Sequence, residues 1–203
     1  MWLLPLVALI FIVALFGFWM SNTNQPLGGV GNANGTLGGE FELTGHQGPV
    51  RLSDFDDKVV VIYFGFLGCT NYCDISMHTL KSAFNRLPDS NREYVQALMI
   101  NIDPWLEDID ELERYTQSWH PQISGLIGSL EQIKSVTQQY GAFFERTSGG
   151  ESAADEATDY LHTSRFFIVN KQGALVDAMR HSTTPAELAA RLTLILDESD
   201  DQG

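Results

Sequence analysis

The run KVVVIYFGF, residues 58–66, constrains the fold of this chain more than any other stretch. It is a continuous series of β-branched and aromatic side chains, as expected of a strand buried on both faces. Such a strand needs cover on both sides, and the segments that follow supply it by alternating helix and strand. Residues 74–87 read as a helix that stops before Pro88. YVQALMINID, 94–103, is a second strand. Asp108 caps the next helix, whose Ile109, Leu112, Thr116 and Trp119 fall on one stripe, and ISGLIG, 123–128, is a short third strand. Ser129 and Gln132 form a capping-box signature for a helix ending at Gly141, with Ile133, Val136 and Tyr140 facing inward. RFFIVNKQGALVDAM, 165–179, is a hairpin around an Asn-Lys-Gln-Gly turn. Thr184, Pro185 and Glu187 open a last helix whose core stripe is Leu188, Leu192, Ile195 and Leu196. The acidic tail after Leu196 is expected to fray. The pattern is that of an α/β sandwich whose first two strands are parallel.

The ends and loops are different in kind. WLLPLVALIFIVALFGFWM, 2–20, holds no charged side chain, and as a helix it spans about the ~30 Å hydrocarbon core of a bilayer. Trp2 and Trp19 mark its ends, no basic stretch or small-residue cleavage pattern flanks it, and it reads as an uncleaved single-span anchor, residues 1–20. Residues 1–50 contain no Lys or Arg, so charge gives no orientation. A soluble domain on the periplasmic or equivalent extracytoplasmic side is the working expectation. Residues 21–40 are a Gly- and Asn-rich flexible tether, and the domain proper covers 41–203. ERTSGGESAADEATD, 145–159, reads as a mobile acidic surface loop. With 12 Lys and Arg against 26 Asp and Glu, the chain carries a formal charge of −14 and no basic stripe, which argues against nucleic acid as a partner.

FLGCTNYCDIS, 66–76, contains the only two cysteines, Cys69 and Cys73. They fall between the carboxyl end of a central strand and the next helix, where open α/β sheets tend to place their sites. A structural disulfide would close a tiny loop and constrain the unfolded chain little. A redox couple would gain from the helix N-terminus, which favours a thiolate, although the spacing is C-x-x-x-C and Asp74 opposes thiolate formation if its carboxylate approaches the sulfur. A metal site would need a further donor, and two soft sulfurs with one imidazole suit Cu(I) and Cu(II). Of the five histidines, His46 reads as solvated in a turn and His78 as pointing elsewhere on its helix. His120 lies at a helix end where terminal carbonyls are available, and His181 in a polar turn. His162 stands at the start of a predicted strand, directly after the acidic loop. A lone histidine is more often structural than a ligand, so the residues by themselves leave all three readings open.

Several stretches, taken in order, resemble the Sco/SenC family. FELTGHQGPVRLSDFDDKVVVIYFGFLGCTNYC is similar to its opening strands and C-x-x-x-C loop, and NIDPWLEDIDELERYTQSWHPQISGLIGS to its D-P and H-P segments. IKSVTQQYGAFFE resembles its next helix, and YLHTSRFFIVNKQGAL the strand carrying its histidine ligand. The resemblance implies a thioredoxin-like sandwich with a central mixed sheet, preceded by a transmembrane helix. It implies one copper, as Cu(I), Cu(II) or both, bound through Cys69, Cys73 and His162. It further implies a membrane-anchored metallochaperone that assists assembly of the copper centre in cytochrome c oxidase subunit II, a scheme that admits another copper chaperone as donor. The alternatives are a membrane-tethered thiol–disulfide oxidoreductase using Cys69 and Cys73 as its catalytic pair, and an interaction domain using neither property. Thr70 and Asp74 follow the cysteines where the family usually has proline, and Leu161 precedes His162 where it usually has Asp. The prolines would stiffen the loop, and Asp74 is expected to substitute in part for the missing carboxylate.

Overall fold

The computed structural model describes residues 37–67, 69, 72–103, 105, 108–146 and 160–200. The anchor at 2–20, most of the tether, Thr70 and residues 147–159 of the acidic loop lie outside them. Among the described residues, no helix is long and apolar enough to cross a membrane.

A short antiparallel hairpin, β1 (Glu42–Gly45) and β2 (Gly48–Arg51), opens the domain, followed by a 3-10 turn at Leu52–Phe55. Then come β3 (Val59–Gly65), α1 (Tyr72–Phe84), a short α2 (Asp89–Arg92), β4 (Val95–Asn101), α3 (Ile109–Trp119), β5 (Ile123–Leu126) and α4 (Leu130–Gln139). A second two-stranded sheet pairs β6 (Phe144–Arg146) with β7 (Tyr160–His162). The chain closes with β8 (Arg165–Val169), β9 (Leu175–Arg180) and α5 (Pro185–Asp200). The central sheet has the order β5-β4-β3-β8-β9, with β3 parallel to β4 and antiparallel to β8. This mixed sheet, covered on both faces, is the thioredoxin-like sandwich.

The opening run works by parity, because successive side chains of a strand face opposite ways. Val59, Val61 and Tyr63 enter one core with α1, α3 and α5. Val60, Ile62 and Phe64 enter the other with the opening hairpin, α4 and Tyr160. All six are essentially inaccessible to solvent. The hairpin also blunts the β5 edge, since Thr44 and Ile127 exchange backbone hydrogen bonds of 2.9 Å each.

The expected helix starts form as read. Asp108 accepts from the amides of Asp110 and Glu111, Ser129 and Gln132 close their box reciprocally, and Thr184 and Glu187 do the same. Gly141, at φ +69°, takes the left-handed turn that ends α4.

Four expectations change. The helix read at 74–87 begins at Tyr72 and ends at Phe84, because Arg86 and Leu87 turn back to the carbonyls of Ala83 and Phe84 in tighter i→i+3 bonds. The tail read as frayed stays helical to Asp200, with Ser199 buried and its hydroxyl bonded to the carbonyl of Ile195 at 2.7 Å. Glu145 and Arg146, read as part of the acidic loop, are strand residues paired with Leu161 and Tyr160. The imidazole of His120 does not bond a terminal carbonyl. Its Nδ1 accepts from the amide of Gln122 at 3.2 Å, and its ring meets Phe84 edge-on at 5.5 Å. Burial, then Arg92 and Lys81, lowers its pKa and favours the neutral ring that can accept.

Candidate metal centre

The site lies where the carboxyl end of β3 meets the start of α1 and the second small sheet. Cys69 sits in the connection and is half-buried, packed against both cores. Cys73 is the second residue of α1 and is fully buried. His162 ends β7, which pairing with β6 places beside them. Their ligand atoms all lie within 4.8 Å of one another, so these three residues could hold a metal ion. A trigonal metal bonded at about 2.0–2.3 Å has ligands about 3.5–4 Å apart, which small side-chain rotations reach. Both cysteines are free thiols.

The surroundings explain the geometry. Tyr63 lies on the α1 face by strand parity, and its hydroxyl donates to Cys73 Sγ at 3.7 Å. The His162 ring stands edge-on to Tyr63 at 6.0–6.4 Å centroid separation together with Phe66, two aromatic walls that fix its plane. Gly65 makes room for the sulfur. A Cβ there would lie 2.8 Å from Tyr63 Cε1 and 3.1 Å from both Cys73 Sγ and Met99 Cε. Gly65→Ala must shift the Tyr63 ring and crowds the Cys73 sulfur, and a fall of about tenfold in metal affinity is expected by titration.

The two thiols divide one proton. A hydrogen bond from Cys73 holds the Cys69 thiol well below its ordinary range, aided by His162 and by the amides of Cys73 and Tyr72, and opposed by partial burial. The same interaction, with burial, pushes Cys73 up. Cys69 is thus the thiolate and Cys73 the buried donor.

The remaining candidates fall elsewhere. His78 is exposed, in keeping with its expected direction. His46, expected to be merely solvated, pairs with Asp110 at 2.8 Å and ties the β1–β2 turn to α3. His181 meets Tyr72 edge-on at 5.3 Å. Asp74 does not substitute for a site carboxylate, because Tyr115 donates to its Oδ1 at 2.8 Å and holds it towards α3. Leu161 is exposed, as alternation along β7 turns it away from the face of Tyr160 and His162. Tyr63, Gly65 and Phe66 were not read as site residues. The parity of the β3 run was the one signal that could have placed Tyr63 beneath Cys73.

This architecture recurs in known proteins. The SCO2 protein of Saccharomyces cerevisiae mitochondria is 30% identical over 160 residues, covering 78% of this chain and 51% of the yeast protein. The chain spans about half the length of the eukaryotic relatives it matches. The apo Sco1 solution structure from Thermus thermophilus is 32% identical, with TM-score 0.64 over 79% of this chain and 89% of that one. Copper-bound yeast Sco1 is 26% identical, with TM-score 0.69 over 78% and 87%. The fold alone extends to the thioredoxin domain of a Bacteroides vulgatus thiol-disulfide oxidoreductase, at 17% identity and TM-score 0.54 over 79% and 96%. The SCO1/SenC family model itself matches residues 30–197, a span that takes in both cysteines, His162 and the sandwich up to the last turn of α5, and the chain belongs to that family.

Proposed function

We propose that this protein is a membrane-anchored copper metallochaperone that binds one copper through Cys69, Cys73 and His162. The observation that carries the reading is the convergence of those three ligand atoms within 4.8 Å, from segments far apart in sequence. Two thiolate sulfurs and an imidazole suit Cu(I) and Cu(II) better than hard cations. The copper-bound yeast Sco1, similar in sequence and fold, supports the same cargo here. Residues 2–20 serve as the anchor, 21–40 as the tether, and 41–203 as the copper-binding domain on the extracytoplasmic side. The acceptor is the copper centre of cytochrome c oxidase subunit II, with another copper chaperone as donor.

Burial sets the order of transfer. Cys73 is inaccessible, whereas Cys69 and His162 are partly exposed. An incoming thiolate or imidazole from the acceptor meets the cargo on the Cys69 and His162 side. Cys69 and His162 release first, and Cys73 last.

A second reading has its own observation. Cys69 is half-exposed beside the buried Cys73, whose hydrogen bond favours the thiolate form of Cys69, an arrangement suited to a thiol–disulfide reductant. Expressing the full chain in copper-replete cells and assaying metal content and thiol state separates the two. The metallochaperone is expected to carry one copper per chain with both thiols protected. A copper-free chain whose cysteines cycle rapidly with partner disulfides would instead establish the reductase, and a copper-free, inert pair would sink both.

A further inference from the structure

The first turn of α1 is held at three successive residues by three different elements. Tyr72 meets the ring of His181, beyond β9. Cys73 receives the hydroxyl of Tyr63, from β3. Asp74 accepts the hydroxyl of Tyr115, from α3, at 2.8 Å. The last contact is the shortest of the three and the one with a carboxylate acceptor, which makes it the strongest kind of hydrogen bond among them. Tyr115 is itself braced, packing against the α1-side core and meeting Trp119 edge-on at 6.3 Å.

A helix N-terminus needs such help. The first four amides of a helix have no intrahelical partner, so an untethered first turn opens more readily than the middle. Here that turn carries a buried sulfur. If it opened, Cys73 would move away from Cys69 and His162.

We propose that Asp74 and Tyr115 are positioning residues. Their hydrogen bond clamps the first turn of α1 onto α3 and so fixes Cys73 as the anchored member of the Cys69–Cys73–His162 set. The inference rests on the reading of Cys73 as a copper ligand only for its consequence. The clamp itself is a statement about the metal-free chain.

The test compares full-length wild type with Tyr115→Phe, Asp74→Ala and Asp74→Asn by two readouts. In the metal-free chain, iodoacetamide labelling of each cysteine is followed by peptide-resolved mass spectrometry. Tyr115→Phe and Asp74→Ala are expected to speed labelling of Cys73 about tenfold or more, the usual scale for a lost hydrogen bond to a charged group, and to leave Cys69 unchanged. Asp74→Asn should fall between wild type and Asp74→Ala, because its amide oxygen accepts the hydrogen bond without the charge that strengthens it. In the Cu(II)-loaded chain, the first two variants should shift the thiolate-to-copper charge-transfer band and release copper to a chelator about tenfold faster.

Unchanged Cys73 labelling in both Tyr115→Phe and Asp74→Ala would overturn the clamp, even if their melting temperatures fell. So would an Asp74→Asn variant as loose as Asp74→Ala, since charge and not the hydrogen bond would then be responsible. A wild-type chain that takes up no copper defeats the metallochaperone reading, and the labelling arm still decides the clamp.

Discussion

Cys73→Ser is expected to weaken copper binding by the full chain about 10²–10³-fold while leaving it folded. The substitution replaces a soft sulfur by a harder, less acidic oxygen that does not ionise at neutral pH. Relaxation cannot rescue it. The side chain sits in a fully buried slot bounded by the Tyr63 hydroxyl and by the space above Gly65, and the chain has no third cysteine to take its place. Structural metal sites with four ligands are worth about 10–16 kcal/mol, or about 3–4 kcal/mol per ligand, so losing one costs about 10²–10³-fold in affinity. Serine fits the slot with less volume, so the melting temperature should move far less than the copper affinity. Equilibrium dialysis against a competing chelator, beside a thermal melt, measures both. Copper held at wild-type affinity would remove Cys73 from the site.

The chain carries its site differently from what the sequence resemblance suggests at two positions. Asp74 stands where the resemblance leads one to expect proline, and its carboxylate accepts a hydrogen bond from Tyr115. Leu161 stands where an Asp is usual. It is 55% exposed and faces Glu145 across the β6–β7 pair, so its change alters the outer surface beside His162 and not the ligand pocket. Aromatic walls from Tyr63 and Phe66 orient the imidazole in place of a carboxylate.

Local signals made the sandwich readable. KVVVIYFGF announced a strand covered on both faces, and its odd and even residues do enter separate cores. Asp108, Ser129 and Thr184 announced helix starts, because a cap is a contact between near neighbours in sequence. Cys69 and Cys73 were equally visible, as the only pair. His162 stood out by its place between the acidic loop and a strand, and its role as third ligand rested on the resemblance. Its position depends on β6, read as loop, pairing with β7 across an intervening acidic segment, and no local propensity encodes such a register. Tyr115 was invisible for the same reason, since its hydroxyl meets a residue on another helix. The frayed tail failed because charge density at 197–200 was weighed above the burial of Ser199.

His162→Ala carries the second large effect. His162 is the one non-sulfur donor of the three-residue group, and two aromatic rings stand edge-on to its imidazole. Alanine removes the ligand, and with it the imidazole that helps lower the Cys69 thiol, so copper is left with two sulfurs from one short segment. The expected cost is again about 10²–10³-fold in affinity, with the greater part for Cu(II), to which imidazole is well suited. The decisive measurement is copper titration of the full chain, wild type against His162→Ala, read by affinity and by the Cu(II) spectrum. The three-ligand account predicts one tight copper per wild-type chain and a weaker, spectrally altered complex in the variant. Equal affinity with identical spectra would contradict it.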